Sequence, residues 1–422
     1  MERRFGGLLR HRDFRLLWTG ETVSETGDSL ANVLVPLLAA TVLRASTFDV
    51  AALTAAAYLP WLVIGLPAGA WVDRWPRRPL MIACDGVAAV AFASVPVAAW
   101  LGVLTFGQLA AVVLVAGVAE VFFATACQVY LPSIIPAGDL TEGNAKLQGS
   151  AEAALISGRG AAGALAQAAG AASALAIDAA SFLVSAVCLL RIDAREDRPG
   201  RNRETTVRAD VAEGLRFVAT DPYLRPLTVY AIAGNLAYVG YVSLAVLFLV
   251  RAAGFSPAAT GALLAVAGVG GVAGSLVARW LSRRIGSARL LLVAALTSGA
   301  GLLIPLAHPG YQVIWYVTGA VVLNAGILAG NITVAAFRQR YCPPEILGRV
   351  VTGMRFLAFG AIPVGSLLAG ALGTAIGVRD AVWVFLAASA LTGVFLCAPA
   401  LQSTRDLPSR ESGGAIGAEE GE

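Results

Sequence analysis

Long apolar stretches follow one another along this chain, separated by short polar breaks. They run near 14–43, 50–72, 80–101, 106–130, 144–168, 171–190, 224–250, 258–281, 288–306, 311–334, 349–372 and 381–401. Crossing the hydrocarbon of a bilayer takes about 20 such residues, so the pattern predicts twelve spans. Each must be an α-helix, because a backbone in lipid has to satisfy its own hydrogen bonds. The first stretch is too long for a signal peptide and no small-residue cleavage site follows it, which predicts a retained span.

The longest polar break runs from Arg191 to Pro222 and opens with RIDAREDRPGRNRETT, charged and without an apolar period. Behind it, Val207, Val211, Leu215 and Val218 recur at helical spacing. That predicts a short amphipathic helix lying on the membrane or on the base of the bundle. The expected organisation is a six-helix bundle over 1–190, a cytoplasmic linker over 191–222, a second six-helix bundle over 223–401 and a tail over 402–422. The tail ends ESGGAIGAEEGE, acidic and small, the composition of a disordered segment.

Composition sharpens the class. The 422 residues are 57% hydrophobic and only 14% charged, where soluble domains are about a quarter charged; mean hydropathy is +0.73. With the N-terminus inside, 25 of the 31 basic residues fall on the cytoplasmic side and only Arg44, Arg251 and Arg379 outside. This asymmetry predicts that both termini are cytoplasmic. The net charge of +4 then reports topology and no nucleic-acid partner. Thirty of the basic residues are arginine, a bias that favours a bacterial inner membrane. Five cysteines and two histidines show no ligand-like spacing, so neither a metal nor a cofactor is expected. A monomer is expected, with a small-molecule substrate, protons and the lipid bilayer as its partners.

The chemistry sits in the first span. The stretch WTGETVSETGDSLAN places Glu21, Glu25, Asp28 and Asn32 within an arc of about 60° at ~100° per residue. An ionised acid at mid-bilayer depth costs about 2.5–3.5 kcal/mol even on the lenient insertion scale, so this stripe should face a cavity or partners. At ~1.5 Å per residue Glu21 lies about 10 Å into the span and Asp28 about 20 Å, nearest the midplane. A carboxyl there can release a proton when a cationic substrate or a moving arginine arrives, the basis of antiport. Span 5 carries a second stripe of Gln148, Glu152 and Arg159, and further acids are Asp85, Glu120 and Asp178. Asp28, Glu25, Glu120 and Glu152 are the candidates for proton coupling, with Arg159 and Asp178 as charge partners. Glu152, Asp178 or Asp28 is expected to pair with Arg159, since a buried arginine needs a partner. Asp85 is expected to pair with loop arginines. For Asp178 a structural hydrogen bond competes with a transport role.

From span 7 onward no acid lies within a span. The second half offers Asn235, Tyr238, Tyr241, Asn324, Asn331 and Arg355 instead. With Glu21, Asn32 and Gln148 they are candidates to line the substrate cavity, although Tyr and Asn in spans also serve as glue between helices.

The halves repeat. GLPAGAWVDRWPRR at 65–78 and GGVAGSLVARWLSR at 270–283 agree at seven of fourteen positions, among them Gly65/Gly270, Gly69/Gly274, Arg74/Arg279 and Trp75/Trp280. Such internal repeats build many secondary transporters, and the glycine pairs predict close helix packing. The stretch Gly69-Ala-Trp-Val-Asp73-Arg74-Trp-Pro-Arg77-Arg78 resembles the loop 2–3 signature of the major facilitator superfamily. RHRDFRLLWTGETVSETGDSL, IDAASFLVSA and CPPEILGRVVTGMRFLAFGAIPVGSLLAGALG are similar to its exporter branch, which includes macrolide efflux pumps and the enterobactin exporter. The resemblance implies an all-α membrane protein of twelve helices in two six-helix bundles that rock about a central cavity. It also implies a gating role for Gly69, Asp73, Arg74, Arg77 and Arg78. Ala278 stands where the second copy would carry the aspartate, so any charge latch is one-sided.

ATP-driven transport is excluded by the single lysine, Lys146, which follows Ala145 and makes no phosphate loop. No nucleophile, base or metal constellation suggests an enzyme. The expected function is export of a small amphipathic molecule, such as a drug, antibiotic, siderophore or other secondary metabolite, by proton antiport. The alternatives are a proton-coupled importer of a small nutrient and a non-transporting sensor or partner subunit of the same fold.

Overall fold

The computed structural model describes residues 7–72, 74–194, 207–397 and 405–408. Asp73, the linker residues 195–206 and the end of the tail lie outside the described residues, as do the side chains of Val207, Val211 and Arg355. Among the described residues there is no strand, and the helices are α1 (Arg12–Thr41), α2 (Thr47–Val72), α3 (Arg77–Trp100), α4 (Phe106–Ile134), α5 (Leu140–Ala169) and α6 (Ala171–Leu190), then α7 (Val207–Thr220), α8 (Leu224–Leu247), α9 (Pro257–Ile285), α10 (Ser287–Thr297), α11 (Val313–Tyr341), α12 (Pro344–Ile376) and α13 (Val378–Leu391). α8 runs on through a π-helical turn to Ala252, and α10 through a 3-10 segment to Leu306.

Nine of these helices are long and apolar enough to cross a membrane. The other long ones, α1, α5 and α12, are not among the nine. In α1 and α5 the polar stripes dilute the apolar character, and α12 contributes the shorter apolar stretch Gly360–Ile376. Large apolar side chains such as Val90, Leu183, Leu296, Leu391 and Val394 point outward, a surface that only lipid satisfies.

The chain forms two compact units. The first contains α1–α6 and takes in Leu249–Arg251 and Phe255–Ala265; the second contains the rest. Arg251 belongs with the first because its guanidinium donates to the carbonyls of Ala40 (2.6 Å) and Ala45 (3.0 Å) at the end of α1. In the second, Arg379 donates to Pro305 O and Ala252 O, both at 2.8 Å. Two of the three arginines on the sparsely charged side are thus used to cap helix C-termini, where carbonyls lack partners.

The partner pattern of the two units is the same. α1 packs on α6 and α5, α3 on α6 and α4, and α2 on α4; correspondingly α8 packs on α13 and α12, and α10 with its 3-10 extension on α13 and α11. α9 lies on α11 through Gly270 and Gly274: a Cβ on either would fall on the carbonyl oxygen of Val321 or Ala325, and 2.7 Å from that residue's Cα. The first copy differs. Among the described residues nothing lies within 4 Å of a Cβ built on Gly69, and Gly65 meets only Trp61 of its own helix. Close approach of α2 to α4 comes from Gly117 of α4, over the carbonyl of Ala57.

The linker helix α7 lies on its own bundle. Val218 is buried with Leu224, Leu227, Phe337, Val350 and Leu407, and Glu213 pairs with Arg349 of α12 at 2.7 Å. The tail, expected to be disordered from residue 402, is held at 405–408. Asp406 Oδ1 accepts from the Ser287 amide (2.8 Å) at the start of α10, and the Leu407 amide donates to Ser287 Oγ (2.8 Å). An acceptor at a helix N-terminus satisfies an otherwise orphaned amide, so Asp406→Ala lowers stability by about 1 kcal/mol. Thermal unfolding in detergent, against wild type, checks this; an unchanged midpoint would show that the tail does not strap the bundle.

Candidate functional site: an acid cluster in the first bundle

The polar stripe of α1 turns inward. Its threonines do not serve the acids: Thr19, Thr22 and Thr26 donate to the carbonyls of Arg15, Trp18 and Thr22 in their own helix, at 2.6–2.7 Å. The carboxyls therefore face groups on other helices. Cys127 of α4 lies beside Glu21, and the electrostatic neighbours of Glu21 are Glu25, Glu120 and Asp85; its Oε1 has no hydrogen-bond partner among the described residues. Glu25 also senses Glu152 of α5. Asp28 has Asp178, Glu120, Glu25 and Glu21 within electrostatic reach. Acids from α1, α3, α4, α5 and α6 therefore converge on one region of the first unit.

Glycine decides how closely α6 approaches. A Cβ on Gly27 would fall on Ser181 Oγ and 2.5 Å from Asp178 Oδ1. The absent side chain lets Asp178, 0% exposed, sit against α1 one residue from Asp28. Ser181 Oγ donates to the Asp178 carbonyl at 2.8 Å and lies 3.5 Å from its Oδ1, while Oδ2 has no hydrogen-bond partner among the described residues. Gly158 of α5 plays the same part on another face of α1, above Thr26 O.

Two expected pairings are corrected. Asp85 meets no loop arginine among the described residues: it is 2% exposed and lies beside Ser185 of α6, with Oδ2 unpartnered among the described residues. Arg78 is instead turned to α6, donating to the carbonyls of Leu189 (2.7 Å) and Leu190 (2.6 Å) at the helix end. Arg159 forms no ion pair with Glu152, Asp178 or Asp28 among the described residues. Glu152 lies about 10 Å away along the same helix, at ~1.5 Å per residue, and is bonded to Gln148 at 3.2 Å; Asp178 is enclosed against Gly27. The electrostatic neighbour of Arg159 is Tyr58 of α2, which also senses Glu120, Asp28 and Glu25.

Tyr58 and Cys127 were missed in the sequence. Tyr58 had a signal, as the one polar-tipped residue in AAAYLPWL; nothing marked Cys127. Asn32 and Glu120 are exposed in the structure, Arg74 is exposed and Arg77 half-buried. No group of His, Cys, Asp and Glu among the described residues is arranged to hold a metal ion.

Of the candidates in the second unit, Tyr238 and Asn324 bond to each other, and Asn235 and Tyr241 bond to other residues of the bundle. Asn235 Nδ2 donates to Ala358 O (2.8 Å), Tyr238 OH to Asn324 Oδ1 (2.8 Å), and Tyr241 OH lies 3.4 Å from Tyr316 OH. Asn331 is exposed. Interhelical bonds of this kind contribute about 0.6 kcal/mol on average, so Tyr238→Phe is expected to lower stability by that order and leave substrate preference unchanged. Thermal unfolding beside a substrate panel tests it: altered preference at unchanged stability would assign Tyr238 to the cavity instead.

Two helical bundles of one repeated design, apolar outside and with acids gathered in the first, define a multi-pass membrane transporter and not an enzyme. The chain belongs to the major facilitator superfamily, which it matches over residues 17–362. It is 29% identical to the multidrug efflux pump Tap of Mycolicibacterium fortuitum over 343 residues, covering 79% of this chain and 83% of the relative. It is 22% identical to macrolide efflux protein A of Streptococcus pyogenes over 401 residues, 93% and 97% of the two chains. In fold it is similar to the nucleoside transporter NupG, with a TM-score of 0.74 at 12% identity over 92% of this chain and 98% of that one. A bacterial homologue of the iron transporter ferroportin gives 0.70 at 20%, over 92% and 98%.

Proposed function

We propose that this transporter exports a small amphipathic molecule in exchange for protons, by alternating access, as a monomer with twelve spans and cytoplasmic termini in a bacterial inner membrane. The observation that carries this reading is the convergence of Glu21, Glu25, Asp28, Glu120 and Asp178 in one bundle. A scaffold protein has no reason to place so many acids within its spans. Asp28, Glu25, Glu120 and Glu152 exchange the proton, and the single guanidinium of Arg159 moves charge among them. Relatives described as efflux pumps support the outward direction.

Inverted vesicles with an imposed pH gradient provide the test. Dyes and drugs should accumulate only with the gradient and only when the protein is present. Gradient-driven movement the other way would establish an importer. No movement of any compound in a broad panel would favour the sensor reading.

A further inference from the structure

The end of α9 carries chemistry that the acid cluster does not use. Leu276, Arg279, Trp280, Arg283 and Arg284 line an open recess of about 390 Å³. Spaced at three and four residues, they share one side of the helix. Arg279 and Arg283 make no hydrogen bond or ion pair among the described residues. The Arg284 guanidinium lies 4.7 Å from the centre of the Trp280 ring, and Arg405 donates to the Arg284 carbonyl at 3.1 Å, adding a fourth positive charge nearby. Asp406, the residue after Arg405, is committed to Ser287 at the start of α10, so an anion at the recess would meet side-chain guanidinia and not that helix N-terminus.

The equivalent face of the first repeat is partly engaged, although Trp71 and Trp75 stay 39% and 48% exposed. Arg78, the counterpart of Arg283, is bonded to α6, and Trp71 and Trp75 pack on Phe122 at 5.8 and 6.2 Å between ring centroids. On α9, Trp280 is 54% and Leu276 76% exposed, and Val272 and Val269 continue the exposed apolar line along the helix. From Val269 to Arg283 is about 21 Å at ~1.5 Å per residue, comparable with one leaflet plus its headgroup level. A tryptophan among arginines at the foot of an apolar stripe is the composition of a membrane–water boundary.

We propose that this face of α9 binds an anionic phospholipid. Its phosphate lies among Arg279, Arg283 and Arg284, and an acyl chain lies along Leu276, Val272 and Val269. Guanidinium forks suit a phosphate better than an ammonium would, and basic pockets beside spans on the cytoplasmic side take such headgroups.

The test uses the full-length protein in detergent and native mass spectrometry with phosphatidylglycerol, phosphatidylcholine or inorganic phosphate. Wild type is expected to retain phosphatidylglycerol over phosphatidylcholine and to bind no free phosphate at matched concentration. The double substitution Arg279→Gln/Arg283→Gln should reduce that preference roughly 30-fold, each basic residue contributing about a factor of five. Leu276→Gln should weaken both lipids alike. Equal retention of the two lipids by wild type overturns the proposal without need of a variant. Free phosphate bound as well as the lipid overturns it too, in favour of a soluble-anion site. A double variant that unfolds at the wild-type temperature yet keeps the full preference places the lipid elsewhere.

Discussion

Vesicles carrying Asp28→Asn are expected to show gradient-driven efflux no higher than vesicles without the protein, while the purified variant unfolds at the wild-type temperature. Asparagine has the size of aspartate and keeps a hydrogen-bonding oxygen, so packing at the α1–α6 contact is retained. What it cannot do is change charge. The hydroxyls of Thr19, Thr22 and Thr26 are bonded to the backbone of α1, and the charged groups within electrostatic reach of Asp28 are Asp178, Glu120, Glu25 and Glu21. Several negative charges so close in a poorly hydrated interior repel strongly, so their protons must be held or passed on together. In the proposed mechanism Asp28, expected nearest the midplane and one residue from the contact of Gly27 with the buried Asp178, is the member that both sides of the membrane address in turn. Asp28→Glu should restore part of the activity. Full proton-driven efflux by Asp28→Asn would move the coupling site to Glu25, Glu120 or Glu152.

Gly274→Ala should destabilise the protein by about 1–3 kcal/mol, the usual cost of overpacking, whereas Gly69→Ala should be neutral or stabilising by up to about 1 kcal/mol. The two glycines hold the same place in the repeat. At Gly274 a methyl would fall on the backbone of α11 at Ala325, which cannot rotate aside as a side chain can. At Gly69 nothing among the described residues stands within 4 Å, and alanine recovers the helix propensity that glycine forfeits. Thermal unfolding of both variants in one detergent measures the difference. Equal losses would mean that the two copies pack alike. If Gly69→Ala keeps its stability yet loses transport, that glycine is needed open for motion and belongs to the gate.

Much of this protein was legible along the chain. The long apolar stretches and their lengths follow from the thickness of lipid, the two halves from a repeat offset by 205 residues, and the inward face of α1 from helical period. These are local properties, readable because a bilayer imposes one rule on every span. The tertiary structure decided which groups meet. Asp85 and Arg78 belong to different contacts because the carbonyls ending α6 claim the guanidinium. Arg159 has Tyr58 as an electrostatic neighbour and forms no ion pair with the expected acids among the described residues, and the glycine pair packs on α11 in one half but on no other helix among the described residues in the other. Periodicity orients a side chain toward a face of its own helix, but the neighbour found there depends on how closely other helices approach. That closeness is set by small residues such as Gly27, Gly117 and Gly158, whose effect lies in the backbone they admit and leaves no mark in their own stretch of sequence.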